Sequence, residues 1–90
     1  MKTYKYYSDA GHGWVAVKRK ELISLGLLNN ISPYSYQRGQ TVYLEEDRDA
    51  AVFFKALYDQ GKVRYVDWTF DEKVCKKDRS PIRSYEGFSV

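Results

Sequence analysis

The distribution of apolar and polar residues predicts two β-hairpins in the first half of the chain. Residues 3–17 contain two β-prone stretches around the turn residues 8–11, where aspartate and glycine favour a reversal of the backbone. Residues 34–45 repeat this arrangement around the segment 37–40. Gly39 stands there at the position where a tight hairpin needs a positive φ. These two segments therefore predict four strands.

The helical period predicts one short and one long helix. The short helix follows the first hairpin and ends at Gly26, with Leu27 folded back against its last turn. The long helix covers residues 49–60, where one helical face is apolar: Ala50, Phe53, Phe54, Leu57 and Tyr58. Asp47 or Asp49 is expected to cap it, because carboxylates stabilise the positive end of a helix dipole. We interpret the acidic side chains here as capping residues rather than as a metal site.

The last third of the chain predicts further strands. Period-two alternation over residues 62–70 indicates a strand, residues 71–81 are charged and expected to be irregular, and residues 82–88 predict a short edge strand. Together the elements predict an α+β fold. Its small antiparallel or mixed sheet carries two helices on one face, in the approximate order β-β-α-β-β-α-β-β. We expect residues 1–90 to form a single domain.

Composition favours a small soluble domain. Apolar residues make up 43% of the 90 residues and charged residues 30%, a balance typical of globular proteins. The longest apolar run is far shorter than the ~20 residues of a membrane helix, and the residues after Met1 do not resemble a signal peptide. Cys75 is the only cysteine, which excludes an intramolecular disulfide and is typical of a reducing compartment. We therefore expect a cytoplasmic protein without a membrane partner.

Charge is unevenly distributed along the chain. Residues 1–40 carry six basic and two acidic side chains, and residues 61–90 carry seven basic and five acidic ones. Residues 41–60 between them carry two basic and five acidic side chains. An acidic middle between basic ends can steer association with a charged partner. The net charge of +3 is smaller than that of a typical nucleic-acid-binding domain.

The residues that could carry catalysis are few. His12, between two glycines, is the only histidine and hence the one ordinary acid–base group near neutral pH. One histidine and Cys75 alone do not make a zinc site, and no nucleophile elbow or phosphate-binding loop is present in the sequence. We expect no catalytic residues, no cofactor and no metal, and keep an enzyme that uses His12 as an alternative.

Arginine and tyrosine residues outside the predicted helices indicate a binding surface. The candidate binding residues lie at the tip of the second hairpin, near the C-terminus and in the first turn: Tyr34, Tyr36, Arg38, Arg79, Arg83, Tyr85 and His12. Tyrosine and arginine are enriched at the energetic centres of protein interfaces. The same residue types beside a basic groove would bind single-stranded nucleic acid. A third interpretation places Tyr36 and Tyr85 in the core. Arg38 and Arg83 are expected to be exposed and replaceable without loss of stability.

Two resemblances to known families add to these predictions. Residues 13–22, followed by residues 25–27, resemble the strand-then-helix signature of swapped-hairpin transition-state regulators, which bind DNA as dimers; the proline usual before that helix is absent here. The second resemblance covers most of the chain. It is to a family of small phage and mobile-element proteins and rests on four strings: SDxGHGW at 8–14, YSYQRG at 34–39, VYLEED at 42–47 and IRSY at 82–85.

The second resemblance implies an accessory role rather than a known chemistry. It favours a non-enzymatic protein that binds and modulates a host protein or protein complex, such as an inhibitor of host defence of the anti-CRISPR or anti-restriction type. A small nucleic-acid-binding or transcription-regulating protein is the alternative. The oligomeric state is left open by the sequence.

Overall fold

The computed structural model describes residues 2–59, 68–75 and 80–90, leaving out the side chains of Lys2 and Trp68. The strands of this part of the chain are β1 (Lys2–Ser8), β2 (Gly13–Lys18), β3 (Tyr36–Arg38), β4 (Thr41–Glu45), β5 (Trp68–Val74) and β6 (Glu86–Gly87). The α-helices are α1 (Arg19–Ser24) and α2 (Asp49–Asp59). Two short 3-10 helices cover Leu28–Asn30 and Pro81–Ser84.

The six strands form one mixed sheet in the order β5-β1-β2-β4-β3-β6. β5 runs parallel to β1, and the other neighbouring strands are antiparallel. The predicted α+β class, with a small mixed sheet and two helices, is confirmed. The order of elements agrees approximately with the predicted order.

One face of the sheet, the inner face, carries the hydrophobic core together with both helices. Alternating strand residues supply its floor, and α1 and α2 cover it with apolar side chains, among them Leu22, Phe53 and Leu57. The buried strand residues of this face are Tyr4, Val15, Val17, Val42 and Leu44. The ring of Tyr4 lies edge-on to Phe53, with 5.7 Å between the centroids. Ala50, Phe53 and Leu57 of the predicted apolar stripe therefore form the contact between α2 and the core. Tyr58, predicted for the same stripe, is 58% exposed instead.

The opposite surface of the sheet, the outer face, is rich in aromatic and charged residues. Because successive strand residues point to opposite faces, the positions between the core residues belong to this side. The outer face consists of Lys5, Tyr7, Trp14, Ala16, Lys18, Tyr36, Arg38, Thr41, Tyr43 and Glu45. It is the surface on which the predicted binding residues of the hairpin converge.

The predicted helix end at Gly26 is confirmed in detail. Gly26 has a φ of +69° and donates its N–H to the Ile23 carbonyl at 3.0 Å. The Leu27 N–H donates to the Leu22 carbonyl at 2.9 Å, which completes the paired hydrogen bonds of a Schellman motif. Leu27 is buried there. The turn therefore orients α1 towards the core.

The second hairpin forms with a shift of its first strand. β3 is Tyr36–Arg38 rather than residues 34–36, and the turn is shorter, with Gly39 at a φ of +59°. The difference follows from Ser35, which is fully buried and whose hydroxyl group bonds the Asp49 carboxylate and the Glu45 N–H instead of facing solvent on a strand. Arg38 therefore pairs with Thr41 in the hairpin ladder instead of lying in the turn.

The C-terminal third departs most from the prediction. Residues 60–67, which hold most of the predicted strand 62–70, lie outside the described residues. β5 extends to Val74, into the segment expected to be irregular, because it pairs with β1 along the whole of that strand. Residues 82–88 were predicted as an edge strand; a 3-10 helix occupies the first part, and the edge strand is only Glu86–Gly87 beside β3. Within the described residues no helix has the length and apolar character needed to cross a membrane.

Candidate functional site

A cavity of about 290 Å³ opens at the end of the outer face where β2 begins and β4 ends. Its walls come from the first turn, three strands, the segment before β3, the segment between β4 and α2, and the C-terminal 3-10 helix: His12, Trp14, Tyr34, Tyr36, Glu45, Asp47 and Arg83. Four of the seven predicted site residues meet here, namely His12, Tyr34, Tyr36 and Arg83. The fold thus joins residues that are more than 70 positions apart in the sequence.

The side chain of Asp9 holds the turn that carries His12. Its Oδ1 accepts the N–H groups of Gly11 at 2.9 Å and His12 at 3.0 Å. The same carboxylate accepts Nε and Nη2 of Arg83, at 2.7 and 2.8 Å, in a two-pronged ion pair. It also accepts the Ser80 N–H at 2.8 Å. Asp9 therefore fastens the first turn of the chain to the C-terminal 3-10 helix.

Hydrogen bonding explains the charge state of this pair. The Arg83 guanidinium, with help from the backbone N–H groups, holds the pKa of Asp9 well below its ordinary value despite burial, which acts in the opposite direction. The hydrogen bond to Asp9 raises the pKa of Arg83 in turn. Both side chains therefore remain ionised at neutral pH, and the Arg83 charge is matched within the protein.

Arg83 differs from the exposed, replaceable arginine that the sequence predicts. Its side chain is only 25% exposed, and the Asp9 side chain beneath it is fully buried. The guanidinium carbon lies 5.8 Å from the centre of the Trp14 ring, within the range of a cation–π contact. Arg83 lines the cavity and at the same time closes the fold over Trp14, which is 2% exposed.

A second buried carboxylate, Asp49, positions the tyrosines of the cavity. It accepts the hydroxyl groups of Ser32 at 2.6 Å and Ser35 at 2.5 Å. The Ser35 oxygen accepts the Glu45 N–H at 2.9 Å, which ties the segment to the end of β4. Tyr34, between the two serines, is consequently held at the surface and is 78% exposed.

The cavity combines aromatic rings with carboxylates. The Trp14 ring centre lies 6.2 Å from that of Tyr36 and 6.1 Å from that of His12. Glu45 and Asp47 supply negative charge at the wall. Electron-rich ring faces and carboxylates both attract cations, so this arrangement is suited to a basic side chain such as lysine or arginine.

The remaining predicted residues lie beside the cavity rather than in it. Arg38 Nη1 donates to the Tyr85 hydroxyl at 3.2 Å, and its guanidinium carbon lies 5.1 Å from the Tyr85 ring centre. Tyr85 in turn lies 5.3 Å from Tyr43, between ring centres. Arg38 and Tyr85 therefore belong to a second aromatic group on the outer face. Arg79 lies outside the described residues.

Sequence reasoning missed several residues of the site. Trp14, Glu45 and Asp47 line the cavity, whereas the sequence pattern predicts them only as strand or helix-capping residues. The pattern likewise predicts Tyr43 only as a strand residue. Alternation along β2 and β4 contains the relevant signal, because residues two apart share a face and Trp14 pairs with Glu45. What the alternation does not reveal is which face the helices cover.

No protein-family model, curated protein or solved structure was found to match this chain. Among the described residues, no group of three or more histidine, cysteine, aspartate and glutamate side chains is arranged to hold a metal ion. The features from which a function can be argued are therefore the cavity and the aromatic group beside it.

Proposed function

We propose that this chain is a non-enzymatic binding protein that holds a protein partner at the cavity of its outer face. The observation that carries the proposal is the convergence of Trp14, Tyr34 and Tyr36 with two carboxylates on one small cavity. Its volume of about 290 Å³ is at the lower limit of pockets for small-molecule ligands. A pocket of this size suits one inserted side chain of a protein partner.

Preorganisation supports the same proposal. The walls of the cavity are fixed by the buried carboxylates of Asp9 and Asp49, so little ordering is required when a partner binds. Tyr34 adds a large exposed ring at the rim, and tyrosine provides contact area at a small entropic cost. A basic side chain inserted beside Glu45 and Asp47 would be attracted by their negative charges.

The partner class follows from the second sequence resemblance. Small phage and mobile-element proteins favour a host protein or protein complex as the partner, such as a component of a defence system. Under this proposal the chain inhibits or modulates that component by occupying its surface. The resemblance and the exposed ring of Tyr34 at the rim of the cavity support this partner class.

The test is affinity capture with matched tyrosine variants. We expect the wild-type chain to retain a protein partner from a host lysate in stoichiometric amount. Tyr34→Ala should retain at least tenfold less of it, because a hot-spot tyrosine contributes about 2 kcal/mol or more of binding free energy, equivalent to ~30-fold in affinity. Tyr58→Ala is the control, because Tyr58 is an exposed tyrosine (58%) on α2 that does not line the cavity. Both variants should melt like the wild type. Equal capture by Tyr34→Ala and the wild type, or no partner above background in several hosts, would refute the proposal.

A further inference from the structure

A second groove, of about 620 Å³, crosses the outer face at the end opposite the cavity. It runs over β1, β2 and β4 and reaches the first turn of α1. Lys5, Lys18 and Lys20 stand along it, and the rings of Tyr7 and Tyr43 form part of its wall. We call this feature the lysine groove.

The lysine groove is positively charged. Lys5, Lys18 and Lys20 are exposed, and among the described residues none of them forms an ion pair. The carboxylate of Glu21 also lines the groove and accepts the Lys18 N–H at 2.8 Å, so three lysines face one carboxylate and the groove stays positively charged. Asp71, opposite Lys5 in the sheet register, is paired with Lys73 at 3.3 Å. Three lysines therefore present ammonium groups to solvent on one surface.

A row of tyrosine rings continues from the groove across the sheet. Tyr7 and Tyr43 meet edge to face with 5.7 Å between ring centres, and Tyr43 lies 5.3 Å from Tyr85. Ala16 on β2 pairs with Lys5 on one side and with Tyr43 on the other. Because its side chain is small, the groove is deep at this position. The tyrosines at its wall are half-buried, which restricts their rotamers while part of each ring stays accessible. Arg38 packs over Tyr85 at the far end of the row.

We propose that the lysine groove binds single-stranded nucleic acid, with phosphates along Lys5, Lys18 and Lys20 and bases stacked on Tyr7 and Tyr43. Surfaces of this kind combine a cationic track for the backbone with rings on which successive bases stack. A duplex hides its base faces inside the helix, so the tyrosines favour a single strand. The acidic wall of the cavity would repel phosphates, so the strand is expected to stay outside the site proposed for the protein partner.

The proposal is tested by fluorescence anisotropy with a labelled oligothymidylate of about 16 nucleotides, the upper site size of small single-strand-binding domains. Neutralising three phosphates predicts a slope of log K against log salt of about −2, since each contact on a single strand contributes about −0.7. Lys18→Gln should reduce the slope by about 0.7 and weaken binding at low salt. Lys55→Gln is the control, because Lys55 is an exposed lysine on α2, away from the groove, paired with Asp59.

Stacking is tested separately from charge. Tyr7→Leu and Tyr43→Leu retain apolar volume for the half-buried part of each ring and should weaken binding about tenfold without changing the salt slope. Circular dichroism verifies that each variant is folded. Tyr34→Ala should bind the oligonucleotide like the wild type, which separates this proposal from the proposed protein-binding function.

Three results would overturn the proposal. The first is an absence of binding at tens of micromolar protein in low salt. The second is binding that is equal for single strands and duplex and unaffected by the tyrosine variants, which would indicate unspecific charge attraction. The third is equally tight, lysine-dependent binding of polyglutamate of the same charge, which would assign the groove to acidic protein segments instead.

Discussion

At the scale of single residues, two buried carboxylates hold the candidate site together. Asp9 and Asp49 each accept hydrogen bonds from groups far away in the sequence, and the side chains of both are shielded from water. A buried carboxylate is tolerated only where hydrogen bonds or a cation satisfy it. Here each one connects a loop to a different element, so the same bonds that satisfy the charge also position His12 and Tyr34.

The Asp9 ion pair predicts a pH-dependent contribution to stability. Because the pKa of Asp9 is lowered in the folded state, ionisation favours folding. The contribution is complete above the ordinary aspartate pKa of about 4 and is lost as pH falls from there towards the folded-state pKa. We expect Asp9→Asn to lower the melting temperature clearly at pH 7, and expect the gap to the wild type to narrow below about pH 4.

Thermal melts monitored by circular dichroism at a series of pH values measure this gap. Asp59→Asn is a suitable control, since Asp59 is an exposed aspartate whose partner Lys55 is also exposed. Such surface pairs contribute at most about 1 kcal/mol. A gap between Asp9→Asn and the wild type that stays constant from pH 7 to pH 3 would contradict the assigned role of the carboxylate.

At the level of elements, α2 covers the inner face with buried apolar side chains, among them Ala50, Phe53 and Leu57. Phe53 is fully buried and meets the edge of Tyr4, whereas Phe54 is only partly buried and lies near Phe70. The helical stripe predicted from the sequence treated the two phenylalanines alike. In the structure the two differ in burial, because Phe53 is completely buried against the sheet and Phe54 is not.

We expect Phe53→Ala to lower the free energy of unfolding by about 3–5 kcal/mol, the usual loss for a buried phenylalanine. Phe54→Ala should cost distinctly less, because part of its ring is already in water. Tyr58→Ala on the same helix is the control and should stay within about 0.5 kcal/mol of the wild type. Urea denaturation measures all three variants. Equal losses for Phe53→Ala and Phe54→Ala would show that the assigned packing of α2 is wrong.

At the scale of the whole molecule, the outer face is electrically polarised. The cavity end carries Glu45 and Asp47, and the opposite end carries the lysines of the lysine groove. The C-terminal residues 80–90 contact the cavity end and the sheet edge beside β3. Arg83 pairs with Asp9 near the cavity, while the Phe88 N–H donates to the Ser35 carbonyl at 2.8 Å. This segment therefore completes the sheet and the site at the same time.

Two arginines contact or belong to this C-terminal segment: Arg38 bonds Tyr85, and Arg83 pairs with Asp9. Reversing the charge of each should have a different effect on stability. The exposed side chain of Arg38 contacts Tyr85 in the aromatic group beside the cavity, so Arg38→Glu should leave the melting temperature nearly unchanged. Arg83→Glu places a carboxylate against the buried Asp9 and removes its cation, so we expect a large fall in the melting temperature. Differential scanning calorimetry of both single variants separates these effects. Equal melting temperatures would mean that the Asp9–Arg83 pair does not stabilise the fold.

Local patterns in the sequence determined the elements that depend on near neighbours. The first hairpin, the end of α1 at Gly26 and the apolar face of α2 rest on turn chemistry and periodicity within a few residues. Such features can be predicted because their hydrogen bonds and faces are set by short stretches of chain. The prediction that tyrosines and arginines share one binding face rested on their residue types and on their positions outside the predicted helices.

Features that depend on partners distant in the sequence became visible only in the three-dimensional fold. The length of β5 is set by parallel pairing with β1, which lies some 60 residues earlier and leaves no signature in the local pattern. The burial of Asp9, the closure of Trp14 by Arg83 and the separation of the cavity from the lysine groove likewise arise from contacts between chain segments brought together by the sheet. Periodicity shows that a residue lies on a face, but the element that covers that face decides whether it packs, pairs or binds.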